Sequence, residues 1–266
     1  MKIQVLISTM NQENYSLLNK MNIQTSAVVI NQTNVNGEKT FTHNGNEIKW
    51  IDTTERGLSK SRNMAIRNSD ADICILADDD MVYRDNYAVV VKEAFENNPN
   101  YTIIGFEVLG IEEKFKNYPK QKHNVGYLQS MKMASVELVL KRENIINYAL
   151  QFDEIIGAGT KYYLGEENAF LFACLQKKQK ILFIPQVIAD LHIGKSTWFE
   201  GHTKEYFYSK GASYAAMNTK FTFLLLCQFA IRHYKKFKAD CSVFKAIYLM
   251  NKGKKMYCVE KESKKK

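Results

Sequence analysis

Apolar runs of strand length alternate with stretches of helical spacing along most of the chain. Residues 3–9 read as a buried strand. Asn11 and Asn14 then offer turn or cap chemistry before a short polar helix over 15–21. A second apolar run at 27–30 is closed by Asn31, Gln32, Thr33 and Asn34. Gly37 and Asn44-Gly45 frame a hairpin-like stretch that leads to a third short strand at 48–51. Helical spacing over 59–67 precedes an apolar run at 73–77 that ends abruptly in Asp78, Asp79 and Asp80. A helix over 87–96 stops before Pro99, and a strand follows at 102–108. This alternation predicts an α/β fold, with a mainly parallel sheet flanked by helices.

The middle of the chain is less regular. A polar, basic loop over 114–122 is followed by an expected strand at 134–140 and an expected helix at 143–150. A flexible glycine break at 157–159 precedes a helix over 166–175 and two strands, at 181–184 and 187–191. Beyond residue 203 the spacing is helical only. With no internal repeat and no clean linker, the expected division is a catalytic domain over 1–202 and a helical, basic C-terminal region over 203–266. The nucleotide half of the catalytic domain would cover about 1–100, and the acceptor half 101–202.

Composition narrows the class. At 45% hydrophobic and 24% charged, the 266 residues carry ample apolar material for a core, which excludes disordered and low-complexity classes. Residues 232–266 hold 12 basic and three acidic residues, which accounts for the whole net charge of +9. The first 231 residues are neutral, so a nucleic-acid-binding role would rest on the lysine-rich tail alone and reach only salt-dependent, non-specific binding. The five cysteines form no C-x-x-C pair, a pattern that reads as reduced rather than as a disulfide framework. No signal-peptide pattern opens the chain, and the apolar run at 221–231 is too short to span a membrane. A cytoplasmic protein is expected.

The aspartate cluster carries the most chemistry. Ligands of open α/β sheets bind outside the carboxyl ends of the strands. In an extended segment Asp78 and Asp80 would share a face while Asp79 points elsewhere. Carboxylates this close repel, so one is pushed toward protonation unless a cation offsets the charge, and oxygen ligands suit Mg²⁺ or Mn²⁺. The plain alternative is a solvated acidic turn. Upstream, the stretch from Gly57 through Ser59 and Arg62 to Asn63 opens a helix that could receive a nucleotide or phosphate, or could simply be capped by Ser59. Downstream, Gly165-Glu166-Glu167 puts two carboxylates at a helix start, where they favour the helix dipole or supply a general base.

Taken in order, residues 3–9, residues 57–63, the triple aspartate and the Gly-Glu-Glu helix start resemble glycosyltransferase family 2, inverting enzymes of the GT-A fold. The resemblance covers about the first 200 residues. The stretch at 196–201 is similar to bacterial capsule-type members. It implies a Rossmann-like mixed sheet with a helical appendage. The implied function is transfer of a sugar from a nucleotide donor, a UDP-sugar, to a hydroxyl of a glycan or lipid-linked acceptor. It also implies that Asp80 ligates Mn²⁺ or Mg²⁺, that Asp78 and Asp79 assist, and that His192 is a further metal candidate. Thr9, Asn31 and Gln32 would line the uridine pocket, completed by Arg62. Glu167 would stand at the base position, with Glu166 beside it. Lipid-linked acceptors imply work at the anionic inner face of a bacterial membrane. A non-catalytic sugar-nucleotide-binding protein of the same fold is the alternative reading.

Overall fold

A computed structural model describes residues 1–194 and 201–264. The chain divides into two compact units: Met1–Arg56, Lys60–Gln151 and Cys174–Lys195 make the first, and Gly57–Ser59, Phe152–Ala173 and Ser196–Lys266 the second. This division departs from the expected boundary near residue 202, because residues 152–173 group with the C-terminal helices.

The first unit is built on a ten-stranded sheet. Its strands are β1 (Ile3–Met10), β2 (Ser26–Gln32), β3 (Gly37–His43), β4 (Asn46–Thr53), β5 (Ile73–Asp78), β6 (Met81–Tyr83), β7 (Ile103–Gly110), β8 (His123–Asn124), β9 (Leu138–Lys141) and β10 (Ile181–Leu191). They lie in the order β3-β4-β2-β1-β5-β9-β7-β10-β6, with β8 against β10. Parallel pairing joins β1 to β2 and β5, β2 to β4, and β7 to β10. The antiparallel β9 bridges β5 and β7, so β1, β2, β4, β5, β7 and β10 all run the same way. Their carboxyl ends therefore share one edge of the sheet. The central strands are apolar on both faces because both are covered. Val5, Ile7, Val29, Ile75 and Phe106 join one buried cluster with Tyr87, Val91 and Phe95 of the helix α3 (Tyr87–Glu96).

Three expectations change. The two strands at 181–191 are one strand, β10, which passes Pro185 with register shifts between Phe183 and Ala189; proline donates no ladder bond, and the irregularity absorbs it. The expected strand at 134–140 opens as a 3₁₀ turn over Ser135–Glu137 and becomes extended only in β9. The basic loop is anchored: Lys116 pairs with the buried Glu137, and Tyr118 stacks on Phe183 at 5.8 Å.

Three short helices precede or follow these strands: α1 (Leu17–Lys20), α4 (Tyr127–Ser130) and α5 (Arg142–Asn147). The longer α2 (Leu58–Asn68) and α6 (Glu166–Gln176) match the periodicity that predicts them. In the second unit, α7 (Lys204–Ala216), α8 (Thr222–Phe237) and α9 (Val243–Ser263) follow the start of α6. Thr203 and Ser242 cap α7 and α9 by accepting from the N–H groups of Tyr206 and Lys245. Ile156, Tyr162, Ala169, Ala212 and Tyr257 form this unit's core. Tyr257 donates to Asp153 at 2.5 Å and Lys261 reaches the same oxygen at 2.8 Å, so the end of α9 is pinned rather than frayed. All five cysteines are free thiols.

Candidate functional site

In the first unit, the shared carboxyl edge gathers the expected residues of β1, β2 and β5. Thr9 donates to Asp79 at 2.5 Å and accepts from the Gln12 amide at 3.0 Å. Asn31 is buried and saturated: its amide donates to the Gln12 carbonyl at 3.0 Å and to Asp52 at 2.7 Å, and its oxygen accepts from the Gln12 N–H at 3.0 Å. Gln32 is buried beside it at the end of β2. Gln12 and Asp52 are thus parts of the edge that sequence reasoning missed. Asp52 stands where β4 aligns Asp52 with Asn31, a register that only the sheet reveals.

The aspartates divide by partner. The strand β5 ends at Asp78, and Asp79 and Asp80 form a turn, so the two-residue alternation expected to carry Asp78 and Asp80 to one face does not extend to Asp80. Arg62 is buried. It donates to both oxygens of Asp78, at 2.9 and 3.3 Å, and to the Ser135 hydroxyl at 2.7 Å. The expected pocket residue is therefore a clamp on the first aspartate. Crowding by protein atoms thins the hydration of the Asp80 carboxyl, and the charges of Asp78 and Asp79 add to this, pushing its pKa up to about 6. The expected repulsion in the cluster falls on Asp80, with burial as the larger cause.

His192 reaches the same turn. Its backbone N–H donates to the Asp80 carbonyl at 2.9 Å, and its Nδ1 lies 2.7 Å from the Glu112 carboxylate. Glu112 follows β7, and no sequence signal pairs it with His192; the parallel register of β7 and β10 does so. Among the described residues, no three His, Cys, Asp or Glu side chains come together as a ready-made metal set. Asp78 is paired with Arg62, and Nδ1 of His192 with Glu112.

In the second unit, Ser59 neither caps α2 nor waits for phosphate. Its buried hydroxyl donates to the Ile156 carbonyl at 2.7 Å, and the Leu58 N–H donates to Ala158 at 2.9 Å. Gly157 has φ +108°, and a Cβ there would come within 2.8 Å of Ser59 Oγ and 3.1 Å of Glu166 Cγ. The glycine break is thus a tight loop laid against the first residue of α6. Glu166 is buried against it, whereas Glu167 is half-exposed. Burial lowers the pKa of Lys210 on α7, and the charge of Glu167 opposes that shift. Nζ of Lys210 sits 5.3 Å from the Tyr214 ring centre and 5.2 Å from that of Phe229.

Residues 35–157 match the family model for glycosyl transferase family 2. That segment, a little under half of the chain, is similar to glycosyl transferase family 2. The matched segment holds Arg62 and all three aspartates; Thr9, Asn31, Gln32, Glu166, Glu167 and His192 lie outside it. Among solved structures, S. aureus TarS 1–349 in complex with UDP-GlcNAc is 14% identical, with a TM-score of 0.61, over 90% of this chain and 74% of that one. The same TarS fragment bound to UDP is 15% identical, with a TM-score of 0.60. Against TarS at greater length the match covers 88% of this chain and 44% of that one, with a TM-score of 0.61. At these identities the likeness shows the GT-A fold and nothing finer. Curated protein sequences give no match. The capsule-like stretch at 196–201 lies, but for Gly201, outside the described residues.

Proposed function

We propose that this chain transfers a sugar from a UDP-linked donor to a hydroxyl of a glycan or lipid-linked acceptor, with inversion at the anomeric carbon, in bacterial surface-polysaccharide synthesis. The observation that supports this most directly is the Asp78-Asp79-Asp80 turn at the shared carboxyl edge, with Asp78 clamped by Arg62 and Asp79 held by Thr9. With Asp78 and Asp79 so held, Asp80 is the aspartate we assign to a ligand. The UDP and UDP-GlcNAc complexes of TarS support a uridine donor. At this edge Gln12, Gln32 and Asp52 carry polar groups suited to a nucleobase and ribose, and Thr9 and Asn31 hold Gln12 and Asp52 in place.

The residues fit a divalent cation in their chemistry. A carboxyl pushed toward protonation by burial and then by two like charges regains its ionised form when a cation arrives, and oxygen donors suit Mn²⁺ or Mg²⁺. Asp80 would hold the ion with His192 beside it, and Asp78 would act by keeping Arg62 and the turn in place. When bound, the ion supplies Lewis-acid stabilisation of the departing diphosphate. Glu167, the more exposed of the two glutamates, takes the proton of the acceptor hydroxyl. The hydroxyl oxygen forms the new bond to the anomeric carbon while the bond to the diphosphate breaks on the opposite face, giving a β-glycoside from an α-linked donor.

The test is UDP release from a panel of UDP-sugars with Mn²⁺ or Mg²⁺ and with chelator. Release from at least one donor, lost with chelator and lost in a folded Asp80→Ala variant, is expected. Donor binding without turnover across acceptors would instead favour a sugar-nucleotide-binding protein. Full turnover by Asp80→Ala would remove the metal role.

A further inference from the structure

Helix α8 is apolar on two faces. Leu226, Phe229, Ala230 and Phe237 are buried within the second unit. At 100° per residue, Phe223, Cys227, Ile231 and Tyr234 fall on an adjoining stripe, with Leu224 at its margin. This second stripe is open: Phe223 is 57% exposed, Leu224 62% and Ile231 68%. Side chains of this size left in water cost free energy that a covering surface would recover. On the same wheel Lys235 borders the stripe, Lys220 precedes it and Lys238 follows it, and Arg232 and Lys236 lie farther round the helix; all five are exposed.

Helix α9 repeats the design. Phe244, Tyr248, Lys252, Lys255 and Val259 share one stripe, and Phe244 is 85% exposed, Tyr248 64% and Val259 67%. Its opposite side packs inward through Ala246, Met250, Gly253 and Tyr257. The cationic field is strong enough to be felt locally: the pKa of His233 is lowered by burial first and then by Lys236, Arg232, Lys210 and His202. Among the described residues, no helix is long and apolar enough to cross a membrane.

We infer that the open faces of α8 and α9 form an interfacial docking surface for an anionic lipid bilayer. Phe223, Leu224, Ile231, Phe244 and Tyr248 would enter the headgroup–acyl boundary while the bordering lysines meet acidic headgroups. Two features together point to lipid. Aromatic and aliphatic side chains are exposed in helical register, and the charges beside them are overwhelmingly of one sign, complementary to an anionic surface. A second copy of this chain would bring lysines against lysines. The inference stands apart from the transfer reaction, because vesicle binding needs no donor.

The experiment is flotation of the full chain with phosphatidylcholine vesicles, with and without phosphatidylglycerol, at low and high salt. Binding that needs phosphatidylglycerol and is released by salt is expected. The triple variant Phe223→Ser, Leu224→Ser, Ile231→Ser should lose at least about tenfold in partitioning, since apolar insertion anchors such helices. Lys235→Gln with Lys238→Gln should lose about fivefold per lysine, or about 1 kcal/mol each. Far-ultraviolet circular dichroism and a thermal melt check that each variant is folded. Should the triple variant misfold, the lysine pair decides alone. Absence of flotation by the parent, or equal flotation by a folded variant, overturns the proposal. So does a parent that is dimeric by light scattering, becomes monomeric in the triple variant and never floats; that result assigns the face to a second copy.

Discussion

Asp80 is expected to titrate near neutral pH and to gate cation binding. Its carboxyl starts from an ordinary value of 3.8 and is pushed up to about 6 by burial first, then by Asp78 and Asp79. With that midpoint, about a tenth of the molecules carry an ionised Asp80 at pH 5 and about nine-tenths at pH 7. Mn²⁺ affinity, and kcat/KM at subsaturating Mn²⁺, should therefore rise about tenfold over this interval. An unperturbed aspartate would be almost fully ionised at both values and give a flat profile. The sign for stability is opposite. The folded chain holds this proton more tightly than the unfolded chain, so the contribution is present below about pH 4 and is lost as pH rises through about 6. Asp79→Asn removes the smallest of the three causes, so the midpoint should fall but stay above 3.8. Calorimetric Mn²⁺ titrations in buffers of different ionisation enthalpy count the proton released on binding. A pH-independent affinity between pH 5 and 7, with no proton release, would refute the reasoning, and so would an unmoved midpoint in Asp79→Asn.

Three further outcomes follow from the second unit. Glu167→Gln should lower transfer about 10²–10⁴-fold with UDP-sugar binding retained, the scale of a lost general base, and a larger loss in Glu166→Gln would reverse the assignment in steady-state assays. Gly211→Ala and Gly253→Ala should each cost about 1–3 kcal/mol in urea melts, because an added Cβ would come within 1.8 Å of the Met250 carbonyl or 2.2 Å of the Tyr208 carbonyl, and backbone cannot step aside. Tyr257→Phe should cost about 1–2 kcal/mol, because the buried hydroxyl donates to the Asp153 carboxylate; an unchanged melt would show that Lys261 holds Asp153 unaided.

Periodicity and punctuation alone determined most of the elements. The apolar runs at 3–9, 27–30 and 73–77 are strands because a sheet covered on both faces demands continuous apolar segments, and the helix over 87–96 has the bounds its spacing predicts. The aspartate cluster and the paired glutamates were legible too, since each sits where a strand ends or a helix begins. Partners were not legible. Arg62 with Asp78 and Ser135 is joined by the packing of α2 on the sheet, and Asn31 with Asp52 and His192 with Glu112 by strand register, across sequence gaps of 16 to 80 residues that no local pattern encodes. Nor does spacing show which of two apolar faces on α8 is covered. That depends on which helices pack beside it, so burial of Leu226 and exposure of Ile231 were settled only when the chain folded.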